Sequence, residues 1–303
     1  MVIFVCIIIN QNFLFKMRNL FVLVALLFST IQVQAQKLDF KSVNDLYQFM
    51  DYNNSPKQLV SAHRGGPYPG YPENCIPTFN HLTKNVYAPV IELDVEMSKD
   101  SVLFLMHDNE LGRTTTGNGS VRNYTWKELQ DIRLKDDEGT LTKYKFDTFD
   151  KVLKWTKKGK AILTVDVKRG VPFEKVVAAI HKAQVEKYAA VITYNWEDAK
   201  LVHKLAPELM ISVTIMDDKG WEAAKASGIP FDRMIAFTGV KLADKSLFDK
   251  LHKEGIYCIS ATFHTSDKET EVAKRQAEYK AAWDLGVDII ATDLPIEANQ
   301  ANK

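Results

Sequence analysis

Ile91-Glu92-Leu93-Asp94-Val95 is an apolar run interrupted by two carboxylates two residues apart. Its composition reads as a strand over 90–95, and a strand turns residues i and i+2 to the same face. Glu92 and Asp94 therefore point at one spot. Acids are depleted from strand interiors and rarely buried unless paired or bound to a metal. Runs of similar composition recur at 59–62, 102–106, 161–167, 190–194, 211–215, 234–238, 256–261 and 288–291. Helical patterns separate most of them, among them 149–155, 172–187, 196–205 and 247–254. Strand–helix alternation argues for a parallel sheet, and strands rich in Val, Ile and Leu suit burial on both faces. The sequence thus predicts an α/β fold, a (β/α)8 TIM barrel in a single domain. Nine strand candidates exceed the eight that such a ring takes. The spare one is expected at 234–238 or 256–261, short or outside the ring.

The amino terminus has a different character. Met17-Arg18-Asn19 precedes the apolar stretch Leu20 to Phe28, and Val33-Gln34-Ala35 has the small-x-small form of a cleavage site. This is the layout of a secretory signal. Residues 1–35 are expected to be a signal peptide, with Met17 as the true start and 36–303 as the folded domain. Export to the periplasm or beyond follows, with no stable membrane span after processing. The formal net charge of +1 over 303 residues gives no electrostatic argument for nucleic acid. Cys75 and Cys258 could pair in an exported protein, but one pair is not a disulfide framework. The oligomeric state is left open.

Polar residues gather at the carboxyl ends of the strand candidates: His63, Glu92 and Asp94, His107, Asp166 and Lys168, Asn195, and Asp293. In a (β/α)8 barrel that end carries the active site. Glu92 and Asp94 read as metal ligands, and oxygen donors without a cysteine cluster imply one hard divalent cation, Mg²⁺ or Ca²⁺. Asp166-Val167-Lys168 repeats the same-face spacing. Asp166 could complete the metal site and Lys168 hold a phosphoryl oxygen, the bland alternative being a buried Asp–Lys ion pair. His63 and His107 each end a strand beside a charged residue, which suits acid–base catalysis. Arg64 can clamp phosphate with two parallel hydrogen bonds. Glu73 and Asn74 could orient Arg64 or contact phosphate, or simply begin a helix. In the long loop 107–119, Arg113 is expected to brace the chain through Asp108. Tyr68, Tyr71, Tyr194, Trp196 and Phe263 could wall the mouth against the substrate's alcohol.

Together His63-Arg64-Gly65, Pro72-Glu73-Asn74, Glu92-Leu93-Asp94, His107-Asp108 with Leu111 and Arg113-Thr114-Thr115, and Thr292-Asp293-Leu294-Pro295 resemble the glycerophosphodiester phosphodiesterase family. The resemblance implies a (β/α)8 barrel that hydrolyses glycerophosphodiesters to glycerol 3-phosphate and an alcohol, using one divalent cation and two histidines. Carried onto this chain, the catalytic pair is His63 and His107, and the metal acids are Glu92, Asp94 and Asp166. Arg64, Asn74 and Lys168 would contact the phosphate or the glycerol end, with Glu73 and Asp293 in support. The chain departs from the family pattern at Cys75, where Thr is usual, and at Asp166, where Glu is usual. The family's Trp-Thr-Val-Asn is replaced by Ser260-Ala261-Thr262-Phe263, and the polar segment His264 to Tyr279 is expected to form an added lid or helix. Two alternatives stay open: a lipid phosphodiesterase resembling phospholipase D-type sphingomyelinases, and a non-catalytic secreted binding protein on the same barrel.

Overall fold

Nine strands form one sheet: β1 Leu59–Ala62, β2 Val90–Met97, β3 Leu103–Leu105, β4 Ile162–Val167, β5 Ala189–Ile192, β6 Met210–Thr214, β7 Met234–Gly239, β8 Tyr257–Ala261 and β9 Ile289–Thr292. They belong to a computed structural model that describes residues 37–54 and 56–302. The expected signal peptide at 1–35 lies outside the described residues. The strand order is β1-β9-β8-β7-β6-β5-β4-β2-β3, and β1 also pairs with β2. That last pairing closes a ring of eight parallel strands, with helices such as Phe149–Thr156, Phe173–Ala183, Trp196–Leu205 and Lys245–Lys253 between them.

The spare strand is neither 234–238 nor 256–261. It is β3, which lies outside the ring and runs antiparallel on β2, with Val95 opposite Leu105. The reason is chain length. A turn over Ser98–Ser101, closed by the Ser101 N–H donating to the Ser98 carbonyl at 2.9 Å, separates the two strands. A parallel crossover needs a dozen or more residues, whereas an antiparallel return needs only a tight turn.

Alternation along each strand divides the core in two. Leu93, Leu163, Val165, Val191 and Ile211 face outward and pack with Phe79, Phe149, Val177 and Phe248. Val90, Ile162, Met210, Ile235 and Ile289, near the strand starts, pack together with Leu46, Tyr47 and Tyr188. Helix Val43–Phe49 thereby closes the amino-terminal end of the barrel. The opposite end stays open. A third cluster of Phe104, Leu111, Val121, Leu129 and Phe146 gives the long 107–148 segment its own small core beside that mouth. Cys75 and Cys258 are both free and buried, in different clusters, and do not pair. No described helix is long and apolar enough to cross a membrane.

Candidate active site

Glu92, Asp94 and Asp166 come together at the carboxyl ends of β2 and β4, where Asp94 is the register partner of Asp166. One carboxylate oxygen from each lies within 4.8 Å of the others. Asp94 and Asp166 are buried. The Lys168 ammonium sits between them, 3.0 Å from Asp94 Oδ1 and 3.0 Å from Asp166 Oδ2. The bland ion-pair reading and the ligand reading of this stretch thus meet in one cluster.

The local folding of the His63-Arg64-Gly65 turn shapes the next layer. Arg64 takes a left-handed backbone conformation, φ 53°, and its N–H donates to Glu92 Oε2 at 2.6 Å. That conformation costs roughly 1–2 kcal/mol for a residue with a Cβ. Gly65 follows at φ +86°, and a Cβ there would stand 2.2 Å from the Phe79 ring, so only glycine fits. The Arg64 guanidinium turns to Glu73, which also takes two hydrogen bonds of 2.9 Å from Arg113. Arg113 does brace the loop through Asp108, at 2.6 and 3.0 Å.

Asn74 lies against Asp94. It is buried, its Nδ2 donates to Asp94 Oδ2 at 2.7 Å, and its Oδ1 accepts the Asp94 N–H at 3.0 Å. Both ends of its amide thus reach Asp94 and aim that carboxylate. Asn195 is a helix cap, its side chain accepting the Asp198 N–H at 2.8 Å.

The histidines enter from two sides. Because β3 folds back along β2, the Met106 N–H reaches the Asp94 carbonyl at 3.1 Å and His107 emerges level with the acids. His63 Nδ1 meets Asp293 Oδ1 at 2.7 Å, and His107 Nδ1 meets Asp108 Oδ1 at 2.7 Å. A carboxylate on Nδ1 favours the proton there and leaves Nε2 as the unprotonated nitrogen of the neutral ring. Phe263 stacks on the His63 ring with centroids 4.6 Å apart. The unusual 264–279 segment enters a helix at Val272 and, ahead of it, supplies Asp267, whose carboxylate accepts the Asp293 N–H at 2.7 Å and the hydroxyls of Thr262, Tyr279 and Thr292. Sequence reading misses Asp267; it sets Asp108 beside His107 and against Arg113, and the fold adds the hydrogen bond to Nδ1.

Electrostatics follows from burial and neighbours. Burial, and then the Asp94 charge, push Glu92 well above the usual carboxylate range. Burial would raise Asp94 too, but Lys168, His107 and Asn74 outweigh it and hold Asp94 low. Burial raises Asp166 despite Lys168. Burial works against the Lys168 charge, and the two aspartates overcome it, so its ammonium is held. Asp166 Oδ1 is buried with no hydrogen-bond partner among the described residues. Three clustered carboxylates, one with an orphaned oxygen, form an all-oxygen donor set that fits a hard divalent cation.

A cavity of about 210 Å³ runs into the barrel mouth, lined by both histidines, the three acids and Lys168. A broader groove of about 910 Å³ leads outward from His107, Lys168 and Tyr194 toward Phe173, Asn195 and Asp198. Of the expected aromatic wall, Tyr194 and Phe263 line the cavity, while Tyr68 and Tyr71 stack on His81 and Trp196 packs against the outer core.

Residues 63–297 match the family model described as the glycerophosphoryl diester phosphodiesterase family. A glycerophosphoryl diester phosphodiesterase from Parabacteroides distasonis superposes with a TM-score of 0.83 and 34% identity, covering 88% of this chain and 93% of that one. A glycerophosphodiester phosphodiesterase from Bacillus altitudinis is 31% identical over 169 residues, which span 52% of this chain and 66% of that relative's length. An Oleispira antarctica phosphodiesterase, solved in complex with the product sn-glycerol-3-phosphate, shares the fold with a TM-score of 0.61 at 17% identity, covering 83% of this chain and 98% of that one.

Proposed function

The chain belongs to the glycerophosphoryl diester phosphodiesterase family, and from that premise we propose that it hydrolyses glycerophosphodiesters to glycerol 3-phosphate and an alcohol. The observation that carries this reading is one cavity lined by two histidines, each anchored through Nδ1, together with three clustered carboxylates. His63 and His107 act as the proton-transfer pair. One takes the proton from the attacking hydroxyl, either water or the neighbouring glycerol hydroxyl, and the other protonates the departing alkoxide through Nε2. Asp293 and Asp108 keep the two rings oriented and stabilise whichever carries charge. Glu92, Asp94 and Asp166 hold one divalent cation, Mg²⁺ or Ca²⁺, which when bound supplies charge neutralisation at a phosphoryl oxygen. Lys168 adds a fixed positive charge beside the phosphate. Arg64, tied back by Glu73, sits at the edge of that arrangement.

The histidine roles are tested by His63→Ala and His107→Ala. Each should lower kcat by about 10²–10⁴-fold with the melting temperature held, since general acid–base catalysis has that worth. Turnover above a tenth of wild type in either variant contradicts its role. Lysophosphatidylcholine and sphingomyelin belong in the same assay, because preference for them would favour the lipid phosphodiesterase. Tight binding without turnover would favour the binding protein. Export is part of the proposal: residues 1–35 direct secretion and are cleaved, which the mass of the exported chain checks.

A further inference from the structure

A set of ligating side chains unlike that of the mouth stands toward the amino-terminal end of the barrel. His252 on helix Lys245–Lys253, Cys258 on β8, and Asp288, one residue ahead of β9, each offer a ligand atom, and the three atoms lie within 4.8 Å of one another. All three side chains are buried. Asp288 Oδ2 accepts the Cys258 N–H at 2.7 Å and meets His252 Nε2 at 2.9 Å. The Cys258 thiol makes a long contact of 3.9 Å to the Ile256 carbonyl. The Tyr52 ring lies flat on the His252 imidazole, centroids 3.5 Å apart, and shields it from solvent. The proton transfers at the mouth make no use of this cluster.

We propose that His252, Cys258 and Asp288 bind one zinc ion, which pins helix Lys245–Lys253 to the starts of β8 and β9. Thiolate, imidazole and carboxylate are the ligands zinc takes, whereas Mg²⁺ and Ca²⁺ are held by oxygen. Ligands at about 2.0–2.3 Å from a tetrahedral zinc lie roughly 3.3–3.8 Å apart, so the cluster is close to the right size before any metal arrives. Burial, and then the Asp288 charge, push the Cys258 thiol well up, so it is protonated in the metal-free protein. Zinc displaces that proton to solvent and takes the lone pair of His252 Nε2, with the ring proton on Nδ1. Two positive charges against one thiolate and one carboxylate leave the site neutral, which suits its burial. Three protein ligands leave the fourth position to water. The zinc is structural and takes no part in hydrolysis.

The test adds Co²⁺ to the chelator-stripped full chain, because a thiolate bound to Co²⁺ gives an intense near-ultraviolet charge-transfer band that carboxylates and imidazoles do not. Co²⁺ should raise that band in the wild type, Zn²⁺ should abolish it by displacement, and excess Mg²⁺ should leave it in place. Cys258→Ser should lose the band, while Cys75→Ser and Glu92→Gln should keep it. Wild-type crystals grown with Zn²⁺ supply a reading that needs no variant. They should show an anomalous zinc peak about 2.0–2.3 Å from His252 Nε2, Cys258 Sγ and an Asp288 carboxylate oxygen. No band in the wild type, a band that persists in Cys258→Ser, or anomalous zinc confined to the carboxylates of the mouth overturns the proposal.

Discussion

Replacing Lys168 by Met should destabilise the metal-free protein sharply and make its stability depend on a divalent cation. Methionine keeps the unbranched shape of the side chain, one atom shorter, and removes its charge. In the native site the ammonium is 3.0 Å from a carboxylate oxygen of Asp94 and 3.0 Å from one of Asp166, with only 16% of the lysine side chain exposed. Removing one partner of a buried ion pair costs about 3–5 kcal/mol, because the charges left behind stay desolvated. In a domain of this size each kcal/mol moves Tm by about 2–4 °C. Tm should therefore fall by roughly 10 °C in EDTA. A cation held by Glu92, Asp94 and Asp166 replaces the missing charge. At one hundred times its Kd it adds about 2.7 kcal/mol of stability. The variant should gain more than the wild type, in which the ammonium repels the cation. Thermal unfolding in EDTA and across a series of Mg²⁺ and Ca²⁺ concentrations reads both effects. A variant within 2 °C of wild type in EDTA, or one that gains no more than wild type from either cation, refutes the shared-site reasoning.

Asp293→Asn should lower kcat by roughly 10–10³-fold with KM and Tm little changed, because the 2.7 Å contact to His63 Nδ1 sets the tautomer and orientation of that ring. Full kcat in this variant contradicts the positioning role. Asp108 gives a stability signature. Burial works against its charge, but the hydrogen bonds from Arg113 and His107 prevail and hold its pKa at about 2, below the ordinary 3.8. A group depressed on folding contributes stability above its unfolded pKa and loses it as pH falls through the folded one. The stability gap between wild type and Asp108→Asn, from urea unfolding, should be constant above about pH 4 and shrink between pH 4 and pH 2. A gap that stays constant down to pH 2 contradicts the assignment.

Much of the barrel is legible in the sequence because its strands are short runs of Val, Ile and Leu whose burial on both faces leaves a compositional mark. Direction leaves no such mark, so β3 was indistinguishable from a ring strand by composition. The short gap before it, 98–102, carried the missing information. Within the site, same-face spacing was enough to pair Glu92 with Asp94 and Asp166 with Lys168. Contacts made across the fold were not legible. His63 and Asp293 are 230 residues apart, and Asn74 reaches Asp94 from a separate loop. Asn195 looked like a site residue because helix caps and catalytic groups share the carboxyl ends of strands. Asp267 lies hidden in a polar segment that reads as a lid or helix, and only the folded chain shows it under the backbone of Asp293.

The central claim is cation-dependent hydrolysis at this mouth, and the most direct measurement is release of glycerol 3-phosphate from glycerophosphocholine, glycerophosphoethanolamine and glycerophosphoglycerol by the 36–303 protein, first with EDTA and then with added Mg²⁺ or Ca²⁺. Release that EDTA abolishes and one cation restores is the expected result. No release with either cation, or release indifferent to EDTA, contradicts it.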